Sequence, residues 1–214
     1  MLVDHHGTKI TTEQATDMML AEKYRVQEDG VREVAIKNTK KKGLVLELFA
    51  GMGNCTNLYK QKKFRKIITN DVNKKSLAQY KMEAMKFIKE ILPTLTEKID
   101  LVDFDCYGCH SFEFQEFFRV RKDKDLPLVV CYIDGFGLYM KRFLKRNEEG
   151  KEMIRQRYLV KGDFNLIKIW DRHQYLVDTL MKKTADIHKM KVKKLIGIQT
   201  KGKSYIISSY LFYK

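Results

Sequence analysis

Leu44-Val45-Leu46-Glu47-Leu48-Phe49-Ala50-Gly51-Met52-Gly53-Asn54 is the stretch on which the fold turns. Leu44 to Phe49 is apolar but for Glu47 and reads as a buried strand. Lys40-Lys41-Lys42-Gly43 punctuates the chain just before it. The strand runs into Ala50-Gly51-Met52-Gly53, where two residues without Cβ let the backbone bend sharply and approach a ligand closely. A short helix is expected from Asn54 to about Lys62, its first N–H groups unpaired and facing the bend. Strand, glycine bend and helix in this order suit a nucleotide-type ligand. The full G-x-G-x-x-G of dinucleotide enzymes is missing, because position 56 is Thr.

Working outward, Lys66 to Asn70 reads as a second strand closed by Asp71, 18 residues beyond Gly53. A carboxylate there can accept both hydroxyls of a ribose. From Asn73 the spacing of Leu77, Tyr80, Ala84, Met85, Phe87, Ile88, Ile91 and Leu92 predicts a helix that Pro93 stops. Ile99 to Phe104 is a third apolar run ending in Asp105, and Phe112 to Phe118 reads as helix. Leu126 to Ile133 is a β-branched fourth run with Asp134-Gly135 as its turn. Residues 136–165 read as irregular, basic and aromatic. A long helix over roughly Leu166 to Lys189 carries Ile169, Trp170, His173, Leu176, Val177, Leu180 and Met181 on one face. Lys194 to Thr200 and Ser204 to Tyr213, joined at Lys201-Gly202-Lys203, form a hairpin signal. Near the start, Thr11-Thr12-Glu13-Gln14 resembles a capping box, opening a helix through Met18, Met19, Leu20 and Tyr24. Strands alternating with helices imply an α/β fold, a mostly parallel sheet covered on both faces, with the hairpin adding an antiparallel strand.

With 214 residues and 44% hydrophobic content, the chain is long enough to bury a core without metal or disulfide support. Lys plus Arg number 42 against 27 Asp plus Glu, a net charge of +15. That surplus points to a polyanionic partner, nucleic acid before an anionic membrane surface. Clusters at Lys40 to Lys42, Lys60 to Lys66, Arg119 to Lys124, Lys141 to Arg146, Arg155 to Arg157 and Lys189 to Lys194 carry it. The block from Lys141 to Arg157 interleaves Phe143 and ends beside Tyr158, pairing charge with stacking groups. The sequence opens without an apolar leader and holds no run of about 18 apolar residues, so a soluble, cytoplasmic protein with reduced cysteines is expected. Cys106-Tyr107-Gly108-Cys109-His110 spells the C-x-x-C-H string of haem attachment, and no second C-x-x-C completes a zinc set. Neither haem nor metal is expected, and His5-His6 reads as part of a tail.

The bend from Glu47 to Asn54 is similar to the first motif of class I S-adenosylmethionine-dependent methyltransferases, an acid followed by small residues and glycines. Asn70-Asp71-Val72-Asn73 is similar to their second motif. The resemblance implies a Rossmann-like fold whose final strand is antiparallel, with S-adenosyl-L-methionine as cofactor. It implies that Glu47, Phe49, Ala50, Gly51 and Gly53 line the cofactor pocket, with polar contacts from Asn54 and Thr56. Asp71 would hold the ribose and Val72 would pack on the adenine. Ile99-Asp100-Leu101-Val102-Asp103-Phe104-Asp105-Cys106-Tyr107-Gly108 resembles the D-x-D-P-[FY]-G motif of tRNA guanine-N2 dimethyltransferases, and more broadly the [DNS]-P-P-[YF] motif of amine methylators. By position Asp105 would accept the amine hydrogens and Tyr107 would stack on the base, with Cys106 standing where the family has proline. Asp103 fits either a role beside Asp105 or a buried structural one.

A rival alignment puts the catalytic strand at Leu128 to Gly137, with Asp134 at its end and Asp103 or Asp105 at the adenine. Strand counting favours the first, because only one helix follows Asp134 before the hairpin. The usual third strand is then short or absent between Pro93 and Ile99. Residues 1–42 read as an N-terminal helical extension and 43–214 as the methyltransferase domain, with a basic insertion at about 136–165. The expected function is methylation of an exocyclic amine of a base in RNA or DNA. The alternatives are a protein or small-molecule methyltransferase, or a nucleic-acid-binding protein that keeps the fold without catalysis.

Overall fold

The computed structural model describes residues 2–3, 9–10, 26–105, 108–121, 124–135, 147–162, 173–199 and 206–214. Two short strands, β1 (Leu2–Val3) and β2 (Lys9–Ile10), pair antiparallel. Residues 26–38 are helical and form α1. Then come β3 (Leu44–Glu47), α2 (Asn54–Gln61), β4 (Lys66–Thr69), α3 (Ala84–Glu90), β5 (Ile99–Phe104), α4 (Ser111–Arg121) and β6 (Leu128–Asp134). The chain closes with α5 (Asn147–Tyr158), α6 (His173–Ile187), β7 (Lys191–Gln199) and β8 (Ile206–Tyr213).

Six strands form one sheet in the order β4-β3-β5-β6-β8-β7. The first four run parallel, and β8 enters antiparallel to both β6 and β7. The expected hairpin is therefore present, although its connection at 201–203 lies outside the described residues. All residues of β3, β5 and β6 are buried, as strands covered on both faces must be.

Alternating side chains divide between two cores. On one face Leu44, Leu46, Val102, Phe104, Leu128, Val130 and Tyr132 pack with α3, α4, α5 and α6. There α4 inserts Phe114, Phe117 and Phe118, with Phe118 and Phe212 4.6 Å apart between ring centres. On the other face Val45, Leu101, Val129 and Cys131 pack with Ala35 and Ile36 of α1 and Cys55 and Tyr59 of α2.

Two expectations need correction. Residues 73–83 are not helical, and α3 begins only at Ala84. Polar side chains and the sheet edge capture the N–H groups a helix would have used. Asn73 N binds Asp71 Oδ1, Lys75 N binds Asn73 Oδ1, Gln79 N binds Thr69 Oγ1 and Tyr80 N binds Thr69 O. Tyr80 bridges Asn70 in parallel, a one-residue remnant where a third strand would lie. Within 136–165, read as irregular, residues 147–158 form α5. Its helix is supported by Ile154 and Tyr158, buried four residues apart on one face, and by Glu148 and Glu149 in its first turn against Arg155 and Arg157 in its last. The predicted long helix keeps its buried face at His173, Leu176, Val177, Leu180 and Met181. Ile169 and Trp170, like the helix expected at 11–24, lie outside the described residues.

Candidate active site

The parallel strands deliver Glu47, Asp71, Asp105 and Asp134 to one edge, the carboxyl ends of β3, β4, β5 and β6. In an open α/β sheet this is where ligands bind. The bend after β3 is fixed by backbone bonds. Ala50 N binds Asn70 O at 3.1 Å, and Gly53 N binds Ala50 O at 2.8 Å. Gly51 at φ +52° and Gly53 at φ +81° adopt the left-handed conformation that side chains resist, and Gly53 caps α2.

Asp71 turns toward this bend. Its Oδ2 accepts Gly51 N–H at 2.8 Å, and its Oδ1 accepts Asn73 N–H at 2.7 Å. Each oxygen keeps a second lone pair for a hydroxyl. A Cβ built on Gly51 would meet nothing within 4 Å, so the space over the bend is open. Around it stand three exposed apolar side chains, Met52 (63%), Val72 (64%) and Leu77 (71%). Leu77 is tied to the bend by its N–H on Gly51 O at 3.1 Å. Met52 and Leu77 were not singled out in the sequence. The helical spacing of Leu77 hides its position beside Gly53.

Glu47 is buried at the end of β3, where its Oε2 accepts the Thr56 hydroxyl at 2.5 Å. Its Oε1 is buried with no partner. Burial pushes the Glu47 carboxyl up to about 8, against the Thr56 bond, which favours the anion. Phe49 lies 4.3 Å from the ring of His110 between centres. Ala50 is buried and Asn54 is exposed on the first turn of α2. Tyr107 and Cys106 lie outside the described residues.

Asp105 belongs to a buried charge cluster facing α1 and α2. Arg32 of α1, 2% exposed, sets Nε 3.0 Å from Asp103 Oδ2 and Nη2 2.5 Å from Asp105 Oδ2. Tyr59 donates to Asp103 Oδ2, and the Cys55 thiol donates to Asp105 Oδ2 at 3.2 Å. Burial raises both aspartates while Arg32 opposes the rise. These contacts of Asp105 all use Oδ2, and its side chain remains 21% exposed. Nothing local in the sequence marks Arg32, because a charged residue on a helix reads as solvated. The available signal was its place four residues before Ile36 on a face shared with Val31 and Ala35.

Asp134 anchors a second buried cluster on the opposite face. It accepts Tyr158 Oη at 3.0 Å, lies 2.9 Å from His173 Nε2, and has Cys109 Sγ at 3.7 Å. Burial and the Asp134 charge push the Cys109 thiol up to about 11, which leaves it protonated and unreactive. This sulfur is packed into a hydrogen-bonded core, which removes the haem-attachment reading of Cys109-His110. Among the described residues no group of His, Cys, Asp and Glu is placed to hold a metal ion, and no helix is long and apolar enough to cross a membrane.

No protein-family model matches the chain, and no curated protein matches it by sequence. Among solved structures it is similar to the N-methyltransferase NodS of Bradyrhizobium japonicum, with 8% identity and a TM-score of 0.54, over 89% of this chain and 97% of that one. It is similar to a protein named as a candidate hemolysin from Lactococcus lactis, with 14% identity and a TM-score of 0.51, over 86% of this chain and 84% of that one. A third, named as a candidate transferase from Pyrococcus horikoshii, has 13% identity and a TM-score of 0.50, over 87% of this chain and 63% of that one. At these identities the likeness is one of fold: the chain has the Rossmann-like class I methyltransferase architecture.

Proposed function

We propose that the protein is an S-adenosyl-L-methionine-dependent methyltransferase acting on an exocyclic amine of a base in RNA or DNA. The observation that carries the cofactor is the turn of Asp71 onto Gly51 beneath open space, beside a buried Glu47 Oε1 that lacks a partner. A sulfonium amino acid joined to a nucleoside fits this donor set: its ammonium supplies what Glu47 Oε1 lacks, and its ribose hydroxyls suit the remaining lone pairs of Asp71. Met52, Val72 and Leu77 supply apolar contact for an adenine. When bound, the cofactor supplies an electrophilic methyl on sulfur.

The chain's own residues then have to hold the acceptor. A ring-conjugated amine is a poor nucleophile, so its lone pair must be localised and aligned. Asp105 suits this task because Arg32 and Cys55 pin Oδ2 and leave Oδ1 for an amine hydrogen. Tyr107 follows it as the stacking group. The +15 charge supports a polyanionic substrate.

Titration calorimetry with S-adenosylmethionine, wild type against Asp71→Ala, tests the cofactor. Wild type should bind, and the variant should lose at least about tenfold, or ~1.4 kcal/mol. Absence of binding by folded wild type would end the proposal. Transfer of labelled methyl to total nucleic acid, abolished by nuclease, tests the substrate. Nuclease-insensitive transfer would move the activity to proteins or small molecules, and nucleic-acid retention without cofactor binding would make the chain a non-catalytic binder.

A further inference from the structure

Methyl transfer to an amine forms the N–C bond as the C–S bond breaks, with that electron pair returning to sulfur. The nitrogen then carries a positive charge and must shed a proton. Resting on the reading above, we infer that His110 is the residue that takes this proton, with Glu113 as its positioning partner.

His110 follows β5 by six residues and leads into α4, accepting Phe114 N–H at its carbonyl at 2.9 Å. That places the imidazole at the carboxyl edge, where its ring contacts Phe49 of the cofactor bend at 4.3 Å between centres. Nδ1 is buried and lies 3.3 Å from Glu113 Oε1, close enough for an ion pair once the ring is protonated but without a hydrogen bond in the present geometry. Nε2 faces the backbone of Gly108: a Cβ added there would stand only 2.9 Å from it. Glycine at 108 is what lets the ring lie over this backbone. The imidazole is a quarter exposed, so a substrate can reach it.

Asp105 is poorly suited to keep the proton itself. Arg32 and Cys55 hold its Oδ2, and a proton taken up there would weaken the pairing with Arg32 that offsets the effect of burial, so its use is to orient the amine through Oδ1 while another group accepts. An imidazole backed by a carboxylate is a standard solution, since the acid stabilises the imidazolium that forms. The charged groups facing His110 are Glu113 on α4 and Arg157 on α5, whose Nη1 donates to Cys109 O at 3.0 Å. Behind Cys109 stand Asp134 of β6 and Tyr158 of α5. The proton moves from the methylated nitrogen to Nε2 and leaves to water after product release.

The test measures cofactor affinity and single-turnover methyl transfer separately, for wild type, His110→Ala, His110→Phe and Glu113→Gln. Both His110 variants should bind S-adenosylmethionine within about twofold of wild type while transfer falls about 10²- to 10⁴-fold. Added imidazole should restore part of the His110→Ala rate, and much less of the His110→Phe rate, whose ring fills the space. Glu113→Gln should lose less and shift the pH–rate profile. An active wild type with equally active His110 variants, or a loss that imidazole does not touch in either variant, overturns the assignment alone. A wild type that neither binds the cofactor nor transfers methyl overturns the reading of the site, and this assignment with it.

Discussion

Glu47 joins the sheet to the site through a single carboxyl. Its folded form holds a proton up to about pH 8, whereas in the unfolded chain a glutamate ionises near 4.3. Between those values the folded state binds more protons than the unfolded one, so stability should fall as pH rises and level off above about 8. Glu47→Gln removes the titrating group and should flatten that decline, worth on the order of a few kcal/mol across the window. Urea midpoints at pH 5, 6.5 and 8 for both proteins measure it, and parallel curves would show that Glu47 does not titrate this way. The same carboxyl sets a second expectation. An ammonium placed against Oε1 favours the anion, so cofactor binding at pH 6.5 should release a proton and tighten toward pH 8. Calorimetry in buffers of differing ionisation heat reads that proton directly. Buffer-independent heats would mean that no cation meets Glu47.

Helix α1 bears on β5 through Arg32, and the strength of that coupling follows from burial. Removing one partner of a buried ion pair leaves a charge with neither water nor counterion, which costs about 3–5 kcal/mol. Arg32→Met should therefore destabilise the protein by about that amount, and Arg32→Met with Asp103→Asn should recover part of it. A loss below about 1 kcal/mol by urea unfolding would show that water reaches the cluster. The same element shows what the sequence could and could not convey. The four parallel strands and the hairpin were legible because buried strands are continuous apolar runs bounded by glycine and charge. The bend at Gly51 and the position of Asp71 at the end of β4 were legible because glycine and a carboxylate punctuate the ends of apolar runs. Arg32 was not, since its partners lie 71 and 73 positions away and no local pattern marks a charge that faces inward. Residues 73–83 misled because Leu77 and Tyr80 have helical spacing, while the bonds of Asp71, Asn73 and Thr69 that dismantle the helix are tertiary facts. His110 stands in a haem-like string with no local mark of a site, and its contact with Phe49 is a tertiary fact.

Across the whole molecule, the parallel sheet separates two ends, and basic residues stand at both. Segments just before a parallel strand lie at its amino edge, and those just after lie at its carboxyl edge. Lys40, Lys41 and Lys42 precede β3, Arg65 and Lys66 begin at β4, and Lys98 precedes β5. These six cations therefore sit at the end opposite Asp71 and Asp105, with Arg65 and Lys66 against Glu97 and Lys98 against Asp100. Arg157 of α5 belongs to the other group, bonded to the Cys109 carbonyl that follows β5. If both ends held a nucleic acid, it would have to wrap the protein; a substrate presented to Asp105 needs only the carboxyl edge. Binding to single-stranded RNA should weaken with salt, with a log–log slope of roughly −0.7 per phosphate neutralised. Changing Lys40, Lys41 and Lys42 to Glu should lower affinity only through the overall field, leaving the slope within about one unit of wild type. Changing Arg157 to Gln should reduce the slope by nearly the value of one contact. A slope that collapses in the triple variant and not in the α5 variant would put the nucleic acid at the amino edge, away from the methyl-transfer site, and would separate binding from the proposed chemistry.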